Sequence, residues 1–358
     1  MNWGDLITLE YGKPVKDKDR WDGAIPVFGT NGQIGTSDLA PLCKHASFIL
    51  GRKGAYRGVH YSEVPFSVID TAFYAEAISD KVDLHWAYYK FLTYDINSMD
   101  SGSAIPSTDR YEIYSLPIDL PSLDVQKKIV AILDGIDRKI RLNRQINDNL
   151  LQQLQAIYQM MFGQASQNVE LGGRLSDICA YSQRRIAVSS LSLESYYSTE
   201  NMLPGKAGAV AASSLPSVAQ ATGCMPGDIL ISNIRPYFKK IVYSQSECGC
   251  SADVLCFVPK APAFSLFLFS TLYDDHFFDY MVAGSKGTKM PRGDKQQIMA
   301  YPIIMPSADQ LAEFNSVAQP ILSKIETSNQ ENKRLVAMRD TLLPRLMSGE
   351  IDVSGVTL

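Results

Sequence analysis

No apolar run in this chain approaches the roughly 20 residues that a membrane-spanning helix needs. Its first residues, Met1-Asn2-Trp3-Gly4-Asp5-Leu6, hold no basic segment leading into an apolar one, so a secretory signal is not expected and a cytoplasmic protein is. There is no Gly-x-x-x-x-Gly-Lys-Ser/Thr loop for a nucleotide phosphate, and no Gly-x-Gly-x-x-Gly opens a helix after a strand. Histidine is scarce: His45, His60, His85 and His276 have no metal-ligand spacing. Six cysteines, at 43, 179, 224, 248, 250 and 256, are scattered, and the close pair Cys248-Gly-Cys250 has no second pair to complete a zinc site. Reduced structural cysteines and no metal are therefore expected. Positive charge is also short. Lys and Arg number 34 against 38 Asp and Glu, for a net charge of -4 and an isoelectric point near 5.7. That balance argues weakly against nucleic acid, whose affinity rests largely on phosphate neutralisation, but the local distribution of charge decides.

A chain of 358 residues, 20% charged and 10% aromatic, is long enough for two or three globular domains. Its basic residues gather at Arg52-Lys53, Arg184-Arg185, Lys239-Lys240 and from Lys286 to Lys295. Acidic residues such as Asp80, Asp83, Asp134 and Asp137 lie elsewhere.

The chain repeats itself. Pro106, Asp109, Pro117, Pro121, Ser122 and Asp124 recur as Pro291, Asp294, Pro302, Pro306, Ser307 and Asp309, all at one ungapped offset of 185 that starts at Ile105 and Met290. The repeat runs on into a heptad seam: Ile136, Ile140, Asn143, Asn147, Leu150, Leu154, Ile157 and Met161 alternate by four and three residues. The second copy reads Ile321, Ile325, Ser328, Asn332, Leu335, Arg339, Leu342 and Leu346, departing from the pattern at Arg339. Each Pro-Ser-x-Asp is a helix start and Gly163 and Gly349 are stops. Either helix alone would be read as packing on its own domain. Two copies with polar residues at the same seam positions predict that they pair with each other, with Asn147 near Asn332 fixing register. A helix from 124 to 162 would be about 55 Å long.

The predicted order is head, helix, head, helix, an α+β fold in which two mixed α/β heads are separated by two long helices forming an antiparallel coiled coil, with a pseudo-twofold internal repeat. The boundaries expected are 1–122, 123–165, 166–306 and 307–350, with a tail of 351–358. Strands are predicted at 46–50, 64–69 and 71–75 with a helix at 85–92, and at 228–231, 240–243 and 254–258 with a helix at 264–278. Several loops pair glycine with Arg, Lys, Asn or Gln. Glycine permits close backbone approach, and Arg, Asn and Gln can read G and A edges bidentately. In the first head the candidates are Asn31 and Gln33, in a Gly29–Gly35 loop that could equally be an ordinary turn, and Arg52, Lys53, Tyr56 and Arg57. In the second they are Asn233, Arg235, Tyr237, Lys239 and Lys240, joined by Lys286, Lys289 and Arg292. A single basic loop is ordinarily just solvated surface. Two heads that both carry such loops point to DNA.

These features resemble the specificity (S) subunit of type I restriction–modification systems over essentially the whole chain. The residues that carry the resemblance are the duplicated Pro-x-x-x-Pro-Ser-x-Asp leading into each helix, Ile25-Pro26-Val27-Phe28-Gly29-Thr30-Asn31-Gly32 with Gly51-Arg52-Lys53-Gly54 and Asp70-Thr71-Ala72-Phe73-Tyr74, and Gly227-Asp228-Ile229-Leu230-Ile231-Ser232-Asn233-Ile234-Arg235-Pro236-Tyr237. The resemblance implies two target recognition domains, each reading one half of a bipartite, asymmetric DNA site. It implies a coiled coil that sets the spacing and docks two methyltransferase (M) subunits, with restriction (R) subunits joining them in phage defence. It also implies a chain that is no enzyme and holds no cofactor, S-adenosylmethionine for adenine methylation and ATP being bound by the partners. Consistently, the sequence has no Asn/Asp-Pro-Pro-aromatic motif of an amino-methyltransferase. The heads share no visible similarity outside the repeat, which predicts different half-sites about one helical turn apart. The net charge of -4 predicts that the isolated chain binds DNA poorly, an expectation that tight, salt-resistant binding would overturn. The rival readings are a protein-binding scaffold and an enzyme using Asp70 or Asp228. Sequence-specific DNA retention excludes the first, and the second lacks a convergent site.

Overall fold

The computed structural model describes residues 1–14, 23–99, 106–163 and 172–357. Ile105 and the expected 165/166 boundary fall outside them. The chain divides into two compact units, Met1–Leu142 with Asn332–Leu358, and Asn143–Glu331.

In the first unit, strands β1 (Ile7–Tyr11), β2 (Ile25–Gly29), β3 (Gly32–Ser37), β4 (Ser47–Gly51), β5 (Val59–Ser62), β6 (Ser67–Val68) and β7 (Ala72–Ala77) precede helices α1 (Leu84–Phe91) and α2 (Arg110–Ser115) and the 40-residue α3 (Leu123–Phe162). The main sheet is antiparallel with order β1-β7-β4-β5, and β3-β2-β6 forms a second layer. Burial follows position and pattern: β4, inside the sheet, is buried at every position, whereas β1 and β7 alternate before fading to the surface. Asp83 caps α1 by accepting from the amides of His85 and Trp86, which sets Trp86, Tyr89 and Phe91 against Trp3 and Phe48. The Trp3 and Phe91 rings lie 4.6 Å apart. Each such buried side chain contributes about 1.5–3 kcal/mol.

The second unit holds β8 (Gly173–Arg174), α4 (Leu175–Ile178), β9 (Cys179–Tyr181), β10 (Arg185–Ala187), β11 (Tyr196–Tyr197), β12 (Gln220–Cys224), β13 (Ile229–Ser232), β14 (Ile241–Tyr243), β15 (Cys248–Cys250), β16 (Val254–Pro259), α5 (Ser265–Tyr273), α6 (Asp275–Ala283), α7 (Lys295–Met299), β17 (Pro302–Ile303) and α8 (Ala308–Met347). Its central sheet has the order β9-β16-β13-β14, all antiparallel. This is the β1-β7-β4-β5 sheet over again, strand for strand, although the two share no obvious sequence. A further sheet, β10-β12-β15-β11, is particular to this unit. The helix expected over 264–278 is two helices. Asp274 sits extended between them and caps α6 through the His276 amide. The six cysteines are buried and free, and Cys224, Cys248, Cys250 and Cys256 share one small core.

The long helices start and stop 185 residues apart at both ends. Ser122 Oγ accepts from the Val125 amide. Ser307 does the same for Gln310, and the Gln310 side chain accepts in return from the Ser307 amide, a full capping box. Gly349, at φ 76°, follows α8 in the left-handed conformation that ends helices. Within the first unit Arg339 reaches Asp137 at 3.0 Å, so the apparent break in the seam is an ion pair. Within the second unit Asn143 donates to Glu331 at 2.8 Å and Asn147 to Asn329 at 2.9 Å. As the number on α3 rises, that of its partner on α8 falls, so the pairing is antiparallel. Asn147 thus meets Asn329 rather than the expected Asn332. Ile140, Asn143, Asn147, Leu154, Ile325, Ser328 and Leu346 are buried, and Ile136, Leu150, Ile157, Met161, Ile321, Leu335 and Leu342 half-buried. Both uses of the helices are realised. Ile129 and Leu133 also enter the first unit's core, and Tyr158, Phe162, Phe314 and Leu322 the second's.

Candidate nucleic-acid interface

Each central sheet sends out one loop that other segments hold in place through main-chain bonds. In the first unit it is residues 52–58, between β4 and β5. The Gly51 amide donates to the Gly58 carbonyl at 2.8 Å, closing its base. Arg52 donates to Thr71 at 2.8 Å, Gly54 to Pro106 at 3.0 Å, and Thr108 to Arg52 at 2.9 Å. The Thr30 hydroxyl lies 2.8 Å from the carbonyls of both Lys53 and Thr71. Gly54 takes a φ of 126°, which a side chain would resist.

In the second unit the loop is residues 233–240, between β13 and β14. Ser232 donates to Lys240 at 3.2 Å, Asn233 to Asp253 at 2.8 Å, Arg235 to Pro291 at 2.8 Å, and Gly293 to Asn233 at 3.3 Å. The clamping segments, Pro106–Thr108 and Pro291–Gly293, are the two copies of the sequence repeat. Their aspartates, Asp109 and Asp294, cap α2 and α7 and so fix the clamp from behind. Arg235 and Lys239 stand in the left-handed region, at φ 51° and 50°, without being glycine. Left-handed backbone at non-glycine positions is found mainly where surrounding structure imposes it, often at functional sites.

The structure sorts the sequence candidates. Asn31 is exposed in the tight turn between β2 and β3, so the Gly29–Gly35 loop is a hairpin; its amide nitrogen lies 2.8 Å from the Tyr56 carbonyl in the orientation that satisfies both ends. Gln33 is exposed on β3 and donates to the Gly35 carbonyl. Arg52 donates to the Asp70 carbonyl at 3.1 Å and lies 4.7 Å from the Tyr11 ring, which also has Arg110 at 4.9 Å and the Phe73 ring at 5.0 Å. Tyr56 is 65% exposed. Arg57 does not belong to this surface. It is 2% exposed and donates to the carbonyls of Ile96 and Asn97, holding the segment under the loop. Asn233 is also buried, at 8%, beneath Gly293. Tyr237 is 49% exposed and packs on Phe238 at 4.7 Å. Lys286 and Arg292 are opposite partners in a small hairpin whose tip carries the exposed Lys289.

Aspartates already partner several of these cations: Lys53 with Asp70 at 3.9 Å, Lys239 with Asp275 at 2.7 Å, Lys286 with Asp294 at 2.5 Å, and Arg292 with Asp253 at 2.9 Å. Lys206 and Lys239 hold the Asp275 carboxyl down to a pKa of about 2, and the same bond raises Lys239. Burial lowers Lys240, whose ammonium donates to the Thr199 carbonyl at 2.6 Å. The surface is thus hydrogen-bonding and aromatic as much as cationic. Sequence reading missed Thr30, Tyr11, Arg110 and the clamping carbonyls, because ordinary residue types carry those roles. The fold also gathers Cys43, His45 and Glu76 within 4.8 Å, three donors that no spacing announced. Each is internally satisfied: His45 Nε2 faces Glu76 at 2.6 Å and the Cys43 thiol donates to the His45 carbonyl.

Residues 1–152 match the family model described as type I restriction modification DNA specificity domain. The type I restriction enzyme MjaIX specificity subunit of Methanocaldococcus jannaschii is 33% identical over 93 residues, which cover 24% of this chain and 22% of that protein's length. The crystal structure of the S subunit of a type I restriction–modification system from M. genitalium matches 97% of this chain and 95% of its own, with a TM-score of 0.61 at 16% identity, a likeness of fold.

Proposed function

We propose, for a chain whose residues 1–152 match the type I restriction modification DNA specificity domain, that its two units read the two halves of one bipartite, asymmetric DNA site. The observation that carries this reading is the duplicated clamp. One scaffold occurs twice, each time presenting a loop with the same main-chain anchors and different side chains: Arg52-Lys53-Gly54 in one unit, Asn233-Ile234-Arg235 in the other. Equal scaffolds with unequal side chains suit two half-sites of different sequence.

In this reading the paired helices set the distance between half-sites and dock two methyltransferase subunits, with restriction subunits completing the complex. The chain itself performs no chemistry. S-adenosylmethionine and ATP belong to the partners. Among the described residues no helix is long and apolar enough to cross a membrane. Phosphate neutralisation is shared with the partners, since many of the loop cations already face aspartates.

The test is a genome-wide map of N6-methyladenine in cells with and without this gene. Loss of one gapped, asymmetric motif on deletion is the expected result and supplies both half-sites. An unchanged map from cells that express the whole system would refute the reading.

A further inference from the structure

We infer that Tyr56 and Tyr237 are equivalent base-stacking residues, one in each unit, each laying its ring on a nucleobase of the half-site its unit reads. The inference rests on the DNA-specificity reading above and deepens it.

The equivalence comes from the backbone. Gly54 and Arg235 both donate to the proline carbonyl of the clamp, and both stand at positive φ, 126° and 51°. Counting two residues onward from each gives Tyr56 and Tyr237. The offset between the loops is 181, not the 185 of the repeat, so a single alignment cannot align both. Across Arg52–Tyr56 and Asn233–Tyr237 the tyrosine is the one shared residue. Everything around it has diverged, as expected of positions that read different letters. What both loops keep is what both half-sites need whatever their sequence.

The chemistry of the kept group is specific. Each ring stands open to solvent, 65% and 49% exposed, where burial would be the favourable state for an aromatic side chain. Among the described residues neither phenol hydroxyl has a hydrogen-bond partner. Tyr56 has no ring neighbour there either, and Tyr237 is backed on one side by Phe238. A tyrosine kept for its hydroxyl would point it at something, whereas one kept for its face needs only a flat partner. In a duplex a nucleobase offers that face where an inserted side chain opens a base step, and stacking there is tolerant of the letter.

The experiment uses the full chain assembled with its methyltransferase subunits. Selection from a random duplex pool yields the motif, and fluorescence anisotropy then measures Tyr56→Leu, Tyr56→Phe, Tyr237→Leu and Tyr237→Phe on that duplex. Each Leu variant is expected to bind roughly five- to a hundred-fold more weakly, and each Phe variant close to the unaltered complex. An abasic site scanned through the motif should weaken the unaltered complex wherever a base is read, and one such position per half-site is the stacked one. At that position the matching Leu variant should lose nothing more. Leu variants that bind the selected motif as tightly as the unaltered complex would overturn the inference and leave the specificity reading standing. Failure of the unaltered complex to select any motif would overturn both. Because both rings are exposed, unfolding curves should not change, which separates lost stacking from lost fold.

Discussion

Replacing Arg235 by glycine should stabilise the second unit while weakening DNA binding. Arg235 adopts φ 51°, and its Nε is buried with no hydrogen-bond partner. Left-handed backbone costs a non-glycine residue about 1–2 kcal/mol, and a buried polar group without a partner about 1–3 kcal/mol. Glycine removes both and returns about 0.5–1 kcal/mol to the unfolded chain as conformational freedom. The low end of each leaves a net gain of about 1.5 kcal/mol, or about 3–6 °C in the melting temperature of a unit of this size. Arg235→Ala separates the contributions. It removes the orphaned nitrogen but keeps the strain, so it should melt below Arg235→Gly by the equivalent of about 1 kcal/mol. Calorimetry on the full chain, following the transition of the second unit, measures both. If Ala proves as stable as Gly, or Gly less stable than the unaltered chain, the account of stored strain is wrong. Binding to the methylated motif should fall in both variants by about 1–3 kcal/mol, confined to one base position if Arg235 reads a base and spread over all sequences if it contacts phosphate.

Arg57→Met strips the Ile96 and Asn97 carbonyls of their donor, at about 1–3 kcal/mol, but also removes the buried, unpartnered Arg57 Nε and Nη1, so the net change in urea titration should stay within about 1 kcal/mol. It should leave the recognised motif unchanged; loss of specific binding at undiminished stability would return Arg57 to the DNA surface. For Asp275 the folded pKa, about 2, lies below the ordinary 3.8. Its contribution is therefore present at neutral pH and disappears as pH falls from about 4 toward 2. Asp275→Asn should accordingly be less stable than the unaltered chain at pH 7 and equal to it near pH 2, and a stability gap that persists at pH 2 would refute the pairing with Lys206 and Lys239.

The long helices and their pairing were legible because their signals are periodic and duplicated. Pro-Ser-x-Asp punctuates each start, and the polar seam positions Asn143 and Asn147 recur as Ser328 and Asn332. Register was less so: Asn147 pairs with Asn329, because side-chain direction rather than heptad position decides which polar groups meet. The strands β4, β7, β13 and β16 announced themselves as apolar runs. Short strands such as β9 and β11 did not, and Asp274 was hidden inside what reads as a single apolar helix. The candidate interface was half visible. Basic and glycine-rich loops drew the eye to Arg52, Tyr56, Arg235 and Tyr237, but composition cannot tell Arg57, which points inward, from Arg52 five residues earlier. The anchors Thr30, Pro106 and Pro291 work through a hydroxyl and two carbonyls, groups with no signature of their own.

The clamp that holds each loop is built almost entirely from peptide groups: Gly51 to Gly58, Arg52 to Thr71 and Gly54 to Pro106 in one unit, Ser232 to Lys240, Asn233 to Asp253 and Arg235 to Pro291 in the other. Peptide groups are the same whatever side chains they bear. A substitution at an exposed loop position therefore alters what the loop touches without loosening what holds it. The two units already display the outcome, since Lys53-Gly54-Ala55 and Ile234-Arg235-Pro236 occupy one mount with no residue in common. Such a mount is indifferent to its cargo, and that makes the loops exchangeable parts. Exposed side chains whose backbone is ordinary can be varied one at a time at little risk to the fold, whereas Gly54, Arg235 and Lys239, held at positive φ, are the positions where a change is felt by the mount as well.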